Sequence, residues 1–262
     1  MSDTQPSTAS RQELWRARDY ANRQDDSTRP DYLEGLRWVR LRPGTTLLDL
    51  GCGAGGFCRM AADAGALVTG IDSSAGMVEV ARERVPEGMF QLGDMQVLSF
   101  DTDAFDVVTA FNSLQFTADP QASLVEARRV AKPGATVFIV VFGRAEHVGQ
   151  IAGWRALASL IPPRRSTSPG PLSLSKPGLL DKLVQASGLC VTNAGYLEGR
   201  FDYPDQAAML RGQRAGQVAV LAERVAGEAV VTDALVRAYA PYRTSSGGYR
   251  IDFEWRYVLA LA

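Results

Sequence analysis

The sequence predicts an α/β fold: a doubly wound sheet, mostly parallel with an antiparallel last strand, carrying helical cap insertions. Three patterns predict it. From residue 45 to residue 143, short β-branched apolar runs alternate with amphipathic stretches, the rhythm of strands joined by crossover helices. The stretch LLDLGCGAGGFC, residues 47–58, reads as a buried strand, a glycine turn and a helix start. The closing YRIDFEWRYVLALA, residues 249–262, sets Ile251, Phe253 and Trp255 against Asp252, Glu254 and Arg256, the period-two pattern of a strand with one buried face.

The elements follow in order. Residues 1–10 are polar and read as a disordered tail, without the apolar core of a secretory signal. Residues 11–25 have helical composition, and 31–44 form a second helix stopped by Pro43-Gly44. Strands are expected at 45–50, 66–72, 88–94, 104–112 and 135–143, with helices at 55–65, 73–85 (capped by Ser73 or Ser74) and 120–131. Five strands and four crossover helices make a parallel sheet. Beyond it, 147–161 is helix-like and a Pro/Ser-rich loop, 162–178, has the composition of a lid. A helix at 178–188, an outer strand at 189–203, and helical pieces over 204–240 with breaks near Gly216 and Gly227 complete the chain before its last strand.

Composition narrows the function classes. The 262 residues are 46% hydrophobic and 22% charged, with net charge -1, so no global field favours nucleic acid, and no apolar run reaches membrane-spanning length. The expectation is a cytoplasmic protein without nucleic-acid or membrane partners, monomeric or homodimeric. Cys52, Cys58 and Cys190 have neither zinc-site spacing nor a disulfide framework, and no metal is expected. Lysine occurs only at 132, 176 and 182 while arginine and alanine abound, a weak sign of a GC-rich bacterial genome.

Gly51, Gly53 and Gly56 satisfy G-x-G-x-x-G, the Rossmann-like fingerprint usually read as a dinucleotide site. Asp72 ends the second strand 21 residues after Gly51, where a carboxylate can accept both ribose hydroxyls of an adenosine or cap the next helix. Three features separate a pyrophosphate site from another adenosine site. Asp49, just ahead of the loop, would repel a pyrophosphate and attract an ammonium group. Asp94 ends the third strand, where it can accept from an adenine amino group while Met95 offers its N–H. FNSLQF, residues 111–116, follows the fourth strand at the carboxyl edge where open α/β sheets bind ligands.

Together these residues resemble the class I S-adenosylmethionine-dependent methyltransferases, in the small-molecule group similar to the ubiquinone-biosynthesis enzymes. LLDLGCGAG, VTGID, GDM, FDVVTAFNSLQF and EARRVAKPGATVFIVV carry the resemblance, which is close over about residues 30–143. It implies one class I domain over 11–262 with cap segments at about 144–175 and 204–247. It implies S-adenosyl-L-methionine as cofactor, S-adenosyl-L-homocysteine as product, and a small-molecule acceptor, with bacterial secondary metabolism as one setting. Residue by residue, it implies that Gly51, Cys52 and Gly53 line the methionine and ribose side and that Asp49 orients the amino group. Asp72 would hold the ribose, with Ser73 and Met77 beside the adenine, and Asp94 and Met95 would read its edge. Phe111 and Asn112 would contact the methionine portion, with Gln115 nearby where several relatives carry histidine or an aromatic residue. Trp15 and Tyr20 on the first helix would close over the site or pack that helix on the core.

His147, the one histidine, is a candidate base in the first cap segment. Trp154, Phe201, Tyr203, Tyr242 and Arg243, with Met209 and Tyr239, are candidate acceptor walls. Two other readings stand beside methyl transfer: an NAD(P)-dependent oxidoreductase, which gives Asp94 no role, and a scaffold that binds S-adenosylmethionine without transferring its methyl group.

Overall fold

The computed structural model describes residues 11–162, 170–214 and 216–262, and on the first helix the side chains of 14, 17, 18, 21 and 28 onward. The tail expected at 1–10 lies outside the described residues, as does much of the lid-like loop.

Seven strands form one sheet: β1 (Thr46–Leu50), β2 (Leu67–Asp72), β3 (Met89–Leu92), β4 (Phe105–Phe111), β5 (Ala131–Phe142), β6 (Cys190–Tyr203) and β7 (Tyr249–Leu261), in the order β3-β2-β1-β4-β5-β7-β6. β1 to β5 pair in parallel, while β7 runs antiparallel between β5 and β6, the direction expected for the last strand. The winding reverses between β1 and β4, which opens a crevice at their carboxyl ends.

Nine helices surround the sheet among the described residues: α1 (Arg11–Val39), α2 (Gly56–Asp63), α3 (Ala75–Arg84), α4 (Pro120–Val130), α5 (Ile151–Ala158), α6 (Leu179–Ala186), α7 (Gln206–Arg214), α8 (Gln217–Ala226) and α9 (Glu228–Tyr239). The strand period sorts adjacent residues to opposite faces. Leu47, Val68 and Phe138 pack under α1, α2 and α3 with Phe57 and Val78, while Leu48, Val108 and Ile139 pack under α4 and α6 with Leu124 and Leu180. Each such buried aliphatic or aromatic side chain contributes about 1.5–3 kcal/mol.

The expected crossover helices number three rather than four, because β3 reaches β4 through a loop, residues 93–104. Ser74 caps α3, accepting from the Met77 N–H, and Asp119 caps α4 ahead of Pro120. β5 begins earlier than expected: Lys132-Pro133-Gly134 lies within it at a register shift against β4. The two expected N-terminal helices are one. Pro30 lies inside α1, and packing overrides the break, since both halves bury a face: Ala17 and Ala21 against Ala54 and Val80, and Tyr32, Leu36 and Val39 in the main core. The helix stops before Pro43-Gly44 because Arg40 takes a left-handed φ of 47°.

Breaks at Gly216 and Gly227 divide α7, α8 and α9 as the sequence indicated. These helices and α5 enclose a third core of Leu157, Met209, Ala219, Val231, Leu235 and Tyr239. β7 alternates only over its first half: Glu254, Val258 and Ala260, on the expected solvent face, are all buried, and Glu254 is 4% exposed. It accepts from the Arg144 backbone N–H at 2.9 Å and from Arg144 Nε at 3.0 Å, and the same guanidinium lies 4.6 Å over the Tyr196 ring.

Candidate active site

The glycine loop joins β1 to α2 at the crevice. Gly51 and Gly53 hold φ of 72° and 53°, the left-handed region open to glycine at little cost. A Cβ on Gly51 would lie 2.3 Å from the Cβ of Ser113, and one on Gly53 would meet nothing within 4 Å, so the loop is closed on its β4 side and open at its apex. The third left-handed glycine is Gly55, the N-cap of α2. Gly56, the last position of the fingerprint, is the first helical residue, so pattern matching missed the glycine that makes the turn.

The loop amides bond to the protein itself. The N–H groups of Gly51 and Cys52 both donate to the Ile71 carbonyl, at 2.8 and 3.0 Å, and Gly53 N–H donates to Asp72 Oδ2 at 2.9 Å. A pyrophosphate cradle needs such N–H groups free. Here the end of β2 occupies three of them.

Negative charge gathers where a phosphate would sit. Asp49 is 2% exposed beneath the loop, its oxygens accepting from Thr109 Oγ1 at 2.7 Å and facing the Cys58 thiol at 3.6 Å. Burial raises its pKa to about 7, with the Asp72 charge adding to the shift. Burial also raises Asp72, against hydrogen bonds from the N–H groups of Ser74 and Gly53. Both loop thiols, Cys52 and Cys58, are pushed up by burial and by the Asp49 charge, so neither is a reactive thiolate. A cation in this crevice would relieve the whole cluster.

β4 supplies the opposite wall. Phe111 is buried, edge-on to Tyr32 at 5.1 Å, and Asn112 takes a left-handed φ of 51° with its N–H on the Val140 carbonyl at 2.8 Å. Ser113 Oγ donates to the Leu50 carbonyl, tying the ends of β1 and β4 together. Asn112 Oδ1 and both amide atoms of Gln115 are buried without a hydrogen-bond partner. Buried polar groups are usually satisfied in folded proteins, so these atoms are free to bond a polar group entering the crevice.

The crevice thus collects Asp49, Gly51, Cys52, Gly53, Asp72, Phe111, Asn112 and Gln115. Met95 joins them, its Cε 3.2 Å from where a Gly51 Cβ would stand. Met77 is half-buried beside Ala54 and Val80, and Ser73 is exposed at the end of β2. Asp94 is exposed and accepts from the backbone and side chain of Gln96. The side chains of Trp15 and Tyr20 lie outside the described residues.

Of the cap residues, Trp154 stands edge-on to Phe142 at 4.9 Å, at the carboxyl end of β5, and Phe201 packs in both the main core and the cap core. Tyr203 and Tyr242 border the cap core, and Arg243 is exposed. Met209 and Tyr239 are fully buried, so they hold the cap together rather than line a wall. His147 is exposed at the end of a 3-10 turn after β5. Sequence reasoning missed Asp31, fully buried on α1, whose Oδ2 accepts from Asn112 Nδ2 at 2.9 Å. Its local sequence gives no signal, since Arg29, Pro30 and Glu34 stand around it; the contact to Asn112, 81 residues away, is what marks it.

The fold and crevice agree with the sequence comparison: residues 48–139 match the family model described as "Methyltransferase domain". The chain is similar to the malonyl-[acyl-carrier protein] O-methyltransferase of Serratia marcescens, 33% identical over 126 residues, covering 46% of this chain and 49% of that one. It is also similar to the ubiquinone biosynthesis O-methyltransferase of Coxiella burnetii, 30% identical over 125 residues, covering 45% and 53%. The chain thus spans about half the length of these curated relatives. Among solved structures, a Bacillus halodurans protein described as a candidate methyltransferase superposes with a TM-score of 0.63 at 15% identity, covering 88% of this chain and 98% of that one. The nicotinamide-dependent reading draws no support from these matches. No described helix is long and apolar enough to cross a membrane.

Proposed function

We propose that this chain transfers a methyl group from S-adenosyl-L-methionine to a small-molecule acceptor, releasing S-adenosyl-L-homocysteine. One observation carries the reading: the loop amides of Gly51, Cys52 and Gly53 are bonded to Ile71 and Asp72, with buried Asp49 beneath them. That arrangement suits a cationic, phosphate-free amino-acid tail. The open apex at Gly53 and the unpartnered Asn112 Oδ1 fit such a group.

When bound, the cofactor supplies a methyl group on a sulfonium and departs as a neutral thioether. The protein's own part is binding, orientation and exclusion of water. Gly51 and Gly53 let the backbone approach closely. Asp49 and Asp72 hold positive charge and ribose hydroxyls. Asp94 and Met95 read the adenine edge, flanked by Ser73 and Met77. Phe111, Asn112 and Gln115 meet the methionine portion.

The segments 144–175 and 204–247 act as an acceptor cap on a single domain. Trp154, Tyr242 and Arg243 of the cap form the walls with Phe201 and Tyr203 at the end of β6, and the exposed His147 is the residue available as a base where the acceptor needs one. The two relatives are named as O-methyltransferases, of malonyl-[acyl-carrier protein] and of ubiquinone biosynthesis, which supports oxygen as the acceptor atom.

Calorimetric titration with S-adenosyl-L-homocysteine and with NADH tests the cofactor. The wild type is expected to bind the first and not the second, and Asp72→Ala to weaken it by at least about tenfold, the scale of one lost hydrogen-bonded charge. NADH binding without S-adenosyl-L-homocysteine binding refutes the proposal.

A further inference from the structure

Asp31 has no role in the assignments above, yet it is a fully buried carboxylate at the crevice wall. α1 crosses the carboxyl end of β4 here, with Tyr32 edge-on to Phe111. Asp31 Oδ1 accepts from the Tyr32 N–H at 3.0 Å, and Oδ2 accepts from Asn112 Nδ2 at 2.9 Å. No ion pair balances it among the described residues. On α1 it is flanked by Tyr32 and Arg29, which with Arg59 and Arg84 of α2 and α3 line a cleft of about 200 Å³. From the sheet it meets the neutral Asn112; on α1 Glu34 follows three residues later, its carboxylate held by Trp38 and Arg37, and Asp49 and Asp72 stand at the ends of β1 and β2.

An ionised carboxylate only accepts hydrogen bonds, so Asn112 must turn its NH2 toward Asp31 and its oxygen away. That oxygen is the atom left buried and unpartnered. The backbone of Asn112 is fixed by its N–H to Val140, so the amide can satisfy Asp31 only by presenting the oxygen on its other side.

Resting on the cofactor reading above, we propose that Asp31 is a positioning residue: it fixes the Asn112 amide so that Oδ1 receives the cofactor's ammonium, and it ties the seating of that group to the docking of α1 on β4. With Asp31 protonated, its O–H becomes a donor, the amide can turn over, and an NH2 group would face the ammonium instead. Cofactor binding therefore favours the ionised form. Burial pushes the Asp31 pKa up in the free protein and the bound cation draws it back down, so binding and loss of the Asp31 proton favour one another.

Titration calorimetry with S-adenosyl-L-homocysteine in two buffers of different ionisation enthalpy counts released protons directly. Asp49 and Asp72 contribute equally to the wild type and to Asp31→Asn, so the difference belongs to Asp31. The wild type is expected to release more protons than Asp31→Asn and to bind about tenfold more tightly. Asn112→Ala, which keeps the carboxylate, is expected to show the same two losses. Thermal unfolding verifies that both variants are folded. An unchanged proton count or affinity in either folded variant overturns the inference while leaving the cofactor reading intact. Absence of binding by the wild type overturns both.

Discussion

Asp49→Asn separates what the carboxylate costs the fold from what it does for a ligand. Asn is isosteric and keeps the acceptor for Thr109 Oγ1, so the change removes charge and little else. Burial raises the Asp49 pKa from 3.8 to about 7. The free folded protein therefore binds a proton that the unfolded chain releases near pH 4. Between those values stability falls as pH rises, by up to about 4 kcal/mol at 1.36 kcal/mol per pH unit. Above the folded pKa the loss is complete, and below pH 4 it vanishes. Asn does not titrate, so the variant should be the more stable protein at pH 8, by up to about 8 °C at roughly 2 °C per kcal/mol for a chain of this size. Asp31 and Asp72 impose a pH dependence of the same sign, which the comparison cancels. The assay is thermal unfolding of both proteins from pH 4 to pH 8. The same variant should lose at least about tenfold in affinity for S-adenosyl-L-homocysteine, about 1.4 kcal/mol. Parallel stability curves across that range would refute the charge argument, and unchanged affinity would remove Asp49 from the site.

Gly53→Ala and Gly134→Ala form a matched pair. Both glycines have positive φ and room for a Cβ, so each substitution should cost about 1–2 kcal/mol of stability. Only Gly53→Ala should weaken S-adenosyl-L-homocysteine, and equal affinities would mean that the loop apex is not a contact surface. Glu254→Ala should destabilise the protein by about 1–3 kcal/mol in denaturant titration, since it strips the Arg144 guanidinium and backbone N–H of their buried acceptor. Arg144 also depresses the Glu254 pKa, so this contribution is present above the ordinary glutamate range and lost as pH falls through the folded value. A variant as stable as the wild type at pH 7 would make the pair ornamental.

Much of the sheet was legible because its signals are local. A period of two sorted Leu47 and Leu48 to opposite faces, and glycines at 216 and 227 cut the cap helices where the backbone does break. The crevice was legible to the extent that chemistry sits at strand ends: Asp49, Asp72 and Asn112 all lie there. Three things depended on contacts distant in sequence. α1 runs through Pro30 because both halves bury side chains on elements that come later. Glu254 is buried because Arg144, 110 residues earlier, meets it across the sheet. Asp31 became significant only once β4 brought Asn112 alongside, 81 residues away. Met209 and Tyr239 show the complementary limit, since an aromatic or thioether side chain reads alike whether it lines a chamber or fills a core.

The last two strands are longer than the sheet they complete. β5 pairs with β7 only from Trp255 onward, whereas β6 continues alongside β7 to the Tyr203–Tyr249 pair. Six residues of β7, about 20 Å at 3.3–3.4 Å each, therefore project as a two-stranded cantilever with α7, α8 and α9 joined at its tip. Lengthening or trimming both strands by two residues would move that tip about 7 Å and return every side chain to its original face. Such an edit leaves β1, β2 and β4 untouched. On the proposed reading, a lineage built on this plan can resize its acceptor cap in discrete steps while the crevice stays fixed, one route by which a common crevice comes to serve acceptors of different size.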